Sequence, residues 1–420
     1  MVNSQSVLAT EMEKVTKKVP VLYDLDDLFY TEIEKRPVEV ISERDMRIPM
    51  NLRPGGYFGY YEPDGGDLGV GSGPDWQKGV INTNHFKIGI QWTKKAEWGT
   101  DSTQKAVINT FRELMSKAMP EFRKQSDNQC HTAGNGVIGV VSTSGAGPGG
   151  TTELKLNTDG YEIRLLRFGQ RVNFYNSTMA TQKTVNPSKI VYYDVNTAII
   201  RILPAVAGLV GGDVIVPEGL NGPTPTGLFG IPYHISNSSV GLWLGYDRAT
   251  TPEIRANGVD AGGAALALPF PRLAINLIGD RVGINERTKL QARMHPCQVQ
   301  AYEDLGQLVS IIQKQASDEA LNLYFSDNIR MAGAPVKQDY SNDKKRIDIM
   351  KMETWGRAEL HPAGFYEVDG RRIFEMRGAS GGVATSQIFY IVASWNLYTD
   401  NPAAQSYIYN LAVPTGYIPA

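Results

Sequence analysis

Between Asp101 and Gln129 the chain reads DSTQKAVINTFRELMSKAMPEFRKQSDNQ, with apolar side chains at Val107, Ile108, Phe111, Leu114, Met115, Ala118, Met119 and Phe122. Steps of three and four residues turn one face of a helix to the core and the other to water. Asp101 is placed to cap the start, and Gln104 to close a box over it. At 1.5 Å per residue the helix would run about 43 Å, which is long for a globular domain. Pro120 interrupts it at a cost of about 3 kcal/mol, so a kink or break is expected there, with Glu121 to Asn128 as a second short piece.

Upstream, Leu25, Leu28, Phe29 and Ile33 form a narrow helical stripe that Pro37 stops. Asp24, Asp26 and Asp27 precede it, where carboxylates complement a helix dipole. With so little apolar surface this segment reads as an arm that docks on a body or on a partner. From Leu52 to Trp98 the pattern changes: eight aromatics (Tyr57, Phe58, Tyr60, Tyr61, Trp76, Phe86, Trp92, Trp98) surround a turn-rich tip, EPDGGDLGVGSGPDW. The flanks YFGYY and VINTNHFKIGIQW read as strands of a long hairpin, each arm reaching on the order of 40 Å at about 3.3 Å per residue. An isolated two-stranded hairpin is marginal in water, so its rings need cover. Where its own body cannot fold back over it, a neighbouring subunit must supply that cover.

After the helix, Gly134, Gly136 and Gly139 stand in G-x-G-x-x-G spacing, but they follow a helix and open a β-like run, the reverse of a dinucleotide site. GAGPGG lacks the Lys-Ser/Thr of a phosphate loop and reads as a hairpin turn. Strands are expected at Glu153–Leu156, Tyr161–Leu166, around Val172 and Phe174, at Ile190–Ile202 and at Asp213–Val216. Helices are expected at Pro271–Ile284 and Pro296–Lys314, the second with Val299, Tyr302, Leu305, Leu308, Val309 and Ile312 on one side. The tail alternates again through KRIDIMKMETWGRAEL, GFYEVDGRRIFEM with a turn at Asp369-Gly370, and IFYIVASWNLYTDNP.

Composition narrows the function. The 420 residues allow two or three domains, and a net charge of -2 gives no overall basic field for nucleic acid. The most apolar run, Ala198–Pro217, is broken by Arg201, Pro204 and Asp213, so no membrane span is expected. Nor does the N-terminus read as a signal peptide. Cys130 and Cys297 read as buried thiols of a reducing compartment. The five histidines are scattered, with no cysteine or carboxylate at ligand spacing, so no metal, cofactor or catalytic residue is expected. Lys344, Lys345 and Arg346 read as a solvated basic face or loop.

The aromatic hairpin, the long helix, CHTAGNGVIGV, FGQRVNFYN, LGYDRATTPEIRANGVDAGGAALALPFPRLAINLIGDR, MHPCQVQAYEDL and SQIFYIVASWNLYTDNP together resemble the major capsid proteins of tailed bacteriophages, the Hong Kong 97-like capsid fold. The resemblance spans nearly the whole chain. It implies an α+β fold with an N-terminal arm (1–51), an extended β-hairpin loop (52–100), a peripheral domain with the spine helix (101–198), an axial domain (199–326) and a return to the periphery (327–420). It implies a non-catalytic homo-oligomer that self-assembles as hexamers and pentamers into an icosahedral head around packaged double-stranded DNA, held without sequence-specific contacts.

Implied partners are a separate scaffolding protein, a portal protein and a decoration protein. The implied location is the virion, after assembly in the bacterial cytoplasm. Tyr57, Tyr60, Tyr61, Trp76 and Lys78 are the expected contacts between subunits. Some members cross-link a loop lysine to a neighbour's asparagine, and Lys78 and Lys87 lie in the right region, but no asparagine partner is evident. The rival readings are an encapsulin-like nanocompartment shell and, further off, a β-rich hydrolase.

Overall fold

A computed structural model of the protein describes residues 26–34, 38–40, 45–53, 55–56, 58–60, 64, 70–95, 110–157, 163–220, 226–283, 289–314, 329–377 and 383–417. Their contacts fall into two compact units, one drawn from 26–27, 85–124 and 361–394, the other from 28–84, 125–360 and 395–417. No helix among the described residues is long and apolar enough to cross a membrane.

In the larger unit, helix α1 (Leu28–Glu34) buries Phe29, Tyr30 and Ile33, while Leu28 is turned outward. Phe29 stands edge-on to His131 and Trp355, and Tyr30 to Trp395. This part of the arm therefore docks on its own body. Strand β1 (Val38–Val40) continues that attachment, pairing in parallel with β18 (Trp355–Phe365).

The long helix, α2 (Thr110–Cys130), runs unbroken through Pro120. The expected second piece does not exist, because burial on both sides of the proline, at Ala118 and Phe122, outweighs one lost backbone bond. The Asp101 cap lies outside the described residues.

Beyond α2 the chain turns sharply. Gly134 and Gly136 take left-handed φ of 85° and 72°, and a Cβ on Gly227 would lie 2.6 Å from the Gly136 Cα. The glycine-rich motif thus serves a close crossing of two backbones, which a side chain would block.

Six strands follow, β5 (Gly139–Ala146), β6 (Thr152–Leu156), β7 (Arg171–Tyr175), β8 (Ser188–Asp194), β9 (Ile199–Leu203) and β10 (Val214–Pro217), closed as a barrel in the order β10-β5-β6-β9-β8-β7. GAGPGG makes the β5–β6 turn as expected, with the Gly147 N–H donating to the Thr151 carbonyl at 2.8 Å. The strand expected at Tyr161–Leu166 is instead a 3₁₀ turn (Ile163–Leu165), whose Ile163 and Leu165, with Leu166, fill the barrel core beside Leu154, Phe174 and Ile200. The 198/199 boundary falls inside this barrel, in the β8–β9 turn.

A short ladder, β11 (Leu242–Trp243) with β12 (Tyr246–Asp247), leads to a six-stranded sheet. Its strands are β13 (Asn257–Asp260), β14 (Leu290–Met294), β15 (Arg330–Met331), β16 (Ala334–Gln338), β17 (Ile347–Lys351) and β21 (Ser406–Tyr409), in the order β13-β21-β17-β14-β16-β15. The two expected helices are present, α3 (Pro269–Val282) and α4 (Pro296–Lys314). Ala274, Ile275, Ile278 and Val299 from them join Ile347, Ile349 and Ile408 in one core.

In the smaller unit, β4 (Asn84–Thr93, its first residue in the larger unit) and β19 (Phe374–Arg377) both pair with β20 (Val383–Thr399). Trp92 packs on Phe389 with ring centres 5.7 Å apart, so this tryptophan is covered by its own chain.

Candidate interaction surface on the hairpin

The hairpin is built from β2 (Asp45–Arg53) and β3 (Asp75–Asn82), paired antiparallel from Asp45↔Asn82 to Arg53↔Asp75. Its first arm therefore lies earlier in the chain than the expected YFGYY. The second expected arm, VINTNHFKIGIQW, is divided at Thr83 between β3 and β4. Of the YFGYY segment, Phe58, Gly59 and Tyr60 are irregular loop beyond the ladder.

Alternation gives the stem two unlike faces. On the inner face Ile48, Met50 and Ile81 are buried against Trp243, Leu244, Ile254, Ala358 and Tyr398. Gly79 belongs to this face because a Cβ there would meet the Met50 Cε at 3.0 Å and Leu244 at 3.3 Å. On the outer face Arg47, Pro49 and Asn51 stand opposite Val80, Lys78 and Trp76, all exposed.

The outer edge of β3 is pinned by the ladder loop. The Val80 N–H donates to the Leu244 carbonyl at 3.0 Å, and the Tyr246 hydroxyl is held by the Lys78 backbone. At the far end of β2, Arg53 pairs with Glu253 at 3.0 Å. Burial opposes ionisation of Glu253, but its own backbone N–H, Arg53 and Arg281 outweigh this and hold its carboxyl below the usual range. The stem closes where the Gly56 N–H donates to the Ser72 carbonyl at 2.7 Å.

Beyond that closure the apolar side chains meet solvent. Phe58 is 91% exposed, Tyr60 98% and Val70 88%, and on the outer face Trp76 is 63% exposed. Phe58 and Tyr60 stack edge to face, 5.8 Å apart, with no other ring on them among the described residues. Isolated surface hydrophobics are ordinary, but several large ones on one pinned projection make it a candidate contact surface. Covering each ring would contribute on the order of 2 kcal/mol. Of the expected contacts, Tyr60, Trp76 and Lys78 lie on this projection, while Tyr57 and Tyr61 fall outside the described residues. Phe58, Val70 and Val80 extend the set, and the alternation of β3 was the signal for Val80.

The structure also assembles a buried polar cluster at the junction of α1 and the end of α2. The Tyr30 N–H donates to Asp127 Oδ1 at 2.9 Å, and Arg293 bridges Asp339 Oδ2, at 2.8 Å, and Glu32. The Arg293 guanidinium also lies over the Phe29 ring. His131 Nε2 is 3.4 Å from Asp339 Oδ2. Burial works against a charged Asp339, but His131 and Arg293 outweigh it and hold its carboxyl far below the usual range. The expectation that no histidine is paired with carboxylates is thereby corrected: Asp127 in the last turn of α2 and His131 just past its end are four residues apart, and folding brings up Asp339.

The basic run lies in a turn before β17, as the loop reading had it, but it is tied down by the body. Lys344 donates to the Tyr417 carbonyl, and Arg346 bonds Asp348 and the Ile235 carbonyl while stacking on Tyr407. Lys344 and Arg346 are therefore half-buried and partnered rather than freely solvated.

No protein-family model and no curated protein matches this sequence. Among solved structures, the chain aligns with the cyanophage A-1(L) capsid asymmetric unit at a TM-score of 0.61 and 11% identity, covering 98% of this chain and 99% of that one. The fold is that of a phage capsid protein. More distant alignments include the capsid of cyanophage P-SCSP1u, at a TM-score of 0.48, 8% identity and 96% and 94% coverage. The SrpI encapsulin of Synechococcus elongatus aligns at 0.46, 8% identity and 97% and 96% coverage. The α+β capsid fold implied by the sequence resemblance is therefore present, and its described residues include an aromatic projection on a pinned stem.

Proposed function

We propose that this chain is a major capsid protein that self-assembles into the icosahedral head of a tailed bacteriophage and encloses its DNA. The observation that carries the reading is the hairpin: its inner face is buried on its own body while Phe58, Tyr60, Val70 and Trp76 remain uncovered. A copy of the same molecule provides that cover, repeated around hexamers and pentamers. Many modest contacts then close a stable shell while each stays reversible enough to correct errors. The capsid fold supports the same reading.

The role is structural and the location is the virion. A net charge of -2 suits a wall that encloses DNA without adhering to it, so DNA is held on the inner face without base-specific contacts. Scaffolding, portal and decoration proteins are the further partners of such a shell. Sedimentation and electron microscopy of the purified protein test the proposal. Rings, sheets or closed shells are expected, and a protein that stays monomeric at all concentrations overturns it.

A further inference from the structure

Asp127, His131 and Asp339 are the one group of three among the described residues with metal-ligand geometry, their ligand atoms all lying within 4.8 Å of one another. All three side chains are buried. We propose that they form a structural site for one divalent cation, zinc in first place, which fastens α1 to the end of α2.

Three observations converge. The first is the state of His131. It is only 7% exposed, yet its Nε2 makes no hydrogen bond, since the carboxylate oxygen 3.4 Å away is beyond good geometry. Two ligands on a tetrahedral ion with bonds of about 2.1 Å stand roughly 3.4 Å apart, so that separation suits two groups that share a metal.

The second is charge. Asp127, Asp339 and Glu32 bring three carboxylates to the junction, and Arg293 bridges two of them with a single positive charge. Buried carboxylates are costly unless neutralised, and a dication held between Asp127, His131 and Asp339 would add to the neutralisation that Arg293 gives the cluster. Arg293 does not block the site, because Asp339 Oδ2 has a second lone pair beside the one its guanidinium uses.

The third is position. Asp127 lies in the final turn of a 21-residue helix and His131 directly follows its last residue, Cys130, at the end where the dipole favours a cation. One imidazole with two carboxylates is a borderline donor set that suits zinc or manganese better than a soft metal. The site would act on the arm directly, because Asp127 Oδ1 already holds the Tyr30 N–H of α1.

The test uses the full-length protein, stripped with a chelator and titrated with zinc. One equivalent should bind and raise the melting temperature, and both effects should vanish in folded His131→Gln and Asp127→Asn. Should a variant fail to fold, cobalt titration of the wild-type protein decides. Intense visible bands of four-coordinate cobalt are expected, saturating at one equivalent and removed by zinc. Absence of stoichiometric uptake, uptake unchanged in the variants, or a cobalt spectrum no different from the aqueous ion overturns the proposal.

Discussion

The Tyr246 hydroxyl accepts the Lys78 N–H at 2.8 Å and donates to the Lys78 carbonyl at 2.9 Å, so one phenol occupies both backbone groups of a single hairpin residue. An edge strand otherwise offers such groups to any passing chain. Tyr246→Phe removes both bonds, at about 1 kcal/mol each. Amide hydrogen exchange should quicken at Lys78 and Val80 while exchange in the β5–β10 barrel stays as it is.

The two faces of β3 should respond oppositely to truncation. Ile81, fully buried on the inner face, should lose about 2–5 kcal/mol of subunit stability on substitution by alanine. Trp76→Ala on the outer face should change subunit stability by less than about 0.5 kcal/mol. Its effect should appear in assembly instead, as a raised critical concentration. Denaturant titration of the unassembled subunit beside light scattering of the assembling one separates the two.

Acid should weaken the subunit through two histidines. Burial lowers the pKa of His234 to about 3, its Nδ1 accepting from the Trp243 indole N–H and its Nε2 donating to the Leu397 carbonyl. His295 is lowered to about 3 as well, by burial first and then by Arg164 and Lys344. A histidine kept neutral in the fold is protonated more readily once unfolded, near pH 6.5. The stability each contributes is thus fully present above about pH 6.5 and is lost progressively as the pH falls toward 3. The melting temperature should drop across that window, and His234→Gln should flatten the slope.

Arg293 holds Glu32 and Asp339 together, so Arg293→Met leaves two carboxylates facing each other without it. Breaking a buried pair on one side costs about 3–5 kcal/mol. Limited proteolysis should then cut near α1 before the rest of the chain, because that helix relies on the cluster.

Much of this was legible along the chain. The apolar periods of Pro271–Ile284 and Pro296–Lys314 marked α3 and α4 to within a few residues, since tertiary packing uses the same face that the period displays. The stem of the hairpin was not. YFGYY has strand propensity, yet the ladder uses DMRIPMNLR, whose Pro49 argues against a strand until it proves to lie in a two-stranded sheet, where proline is tolerated. Pro120 misled in the other direction, because the burial of Ala118 and Phe122 around it is a property of the folded chain. The cluster shows the same limit. The four-residue spacing of Asp127 and His131 was visible, but Glu32, Arg293 and Asp339 come from distant parts of the sequence, and only the fold sets them beside it.

The central claim is that the exposed projection joins copies of this chain. The Gly56–Ser72 bond at 2.7 Å marks where the loop can be shortened without disturbing the stem, by replacing residues 57–71 with a two-residue turn. Sedimentation velocity of this variant beside the wild type is the most direct test. The account predicts large closed particles for the wild type and a folded, unassembled subunit of unchanged melting temperature for the variant. Particles of equal size and yield from both would contradict it.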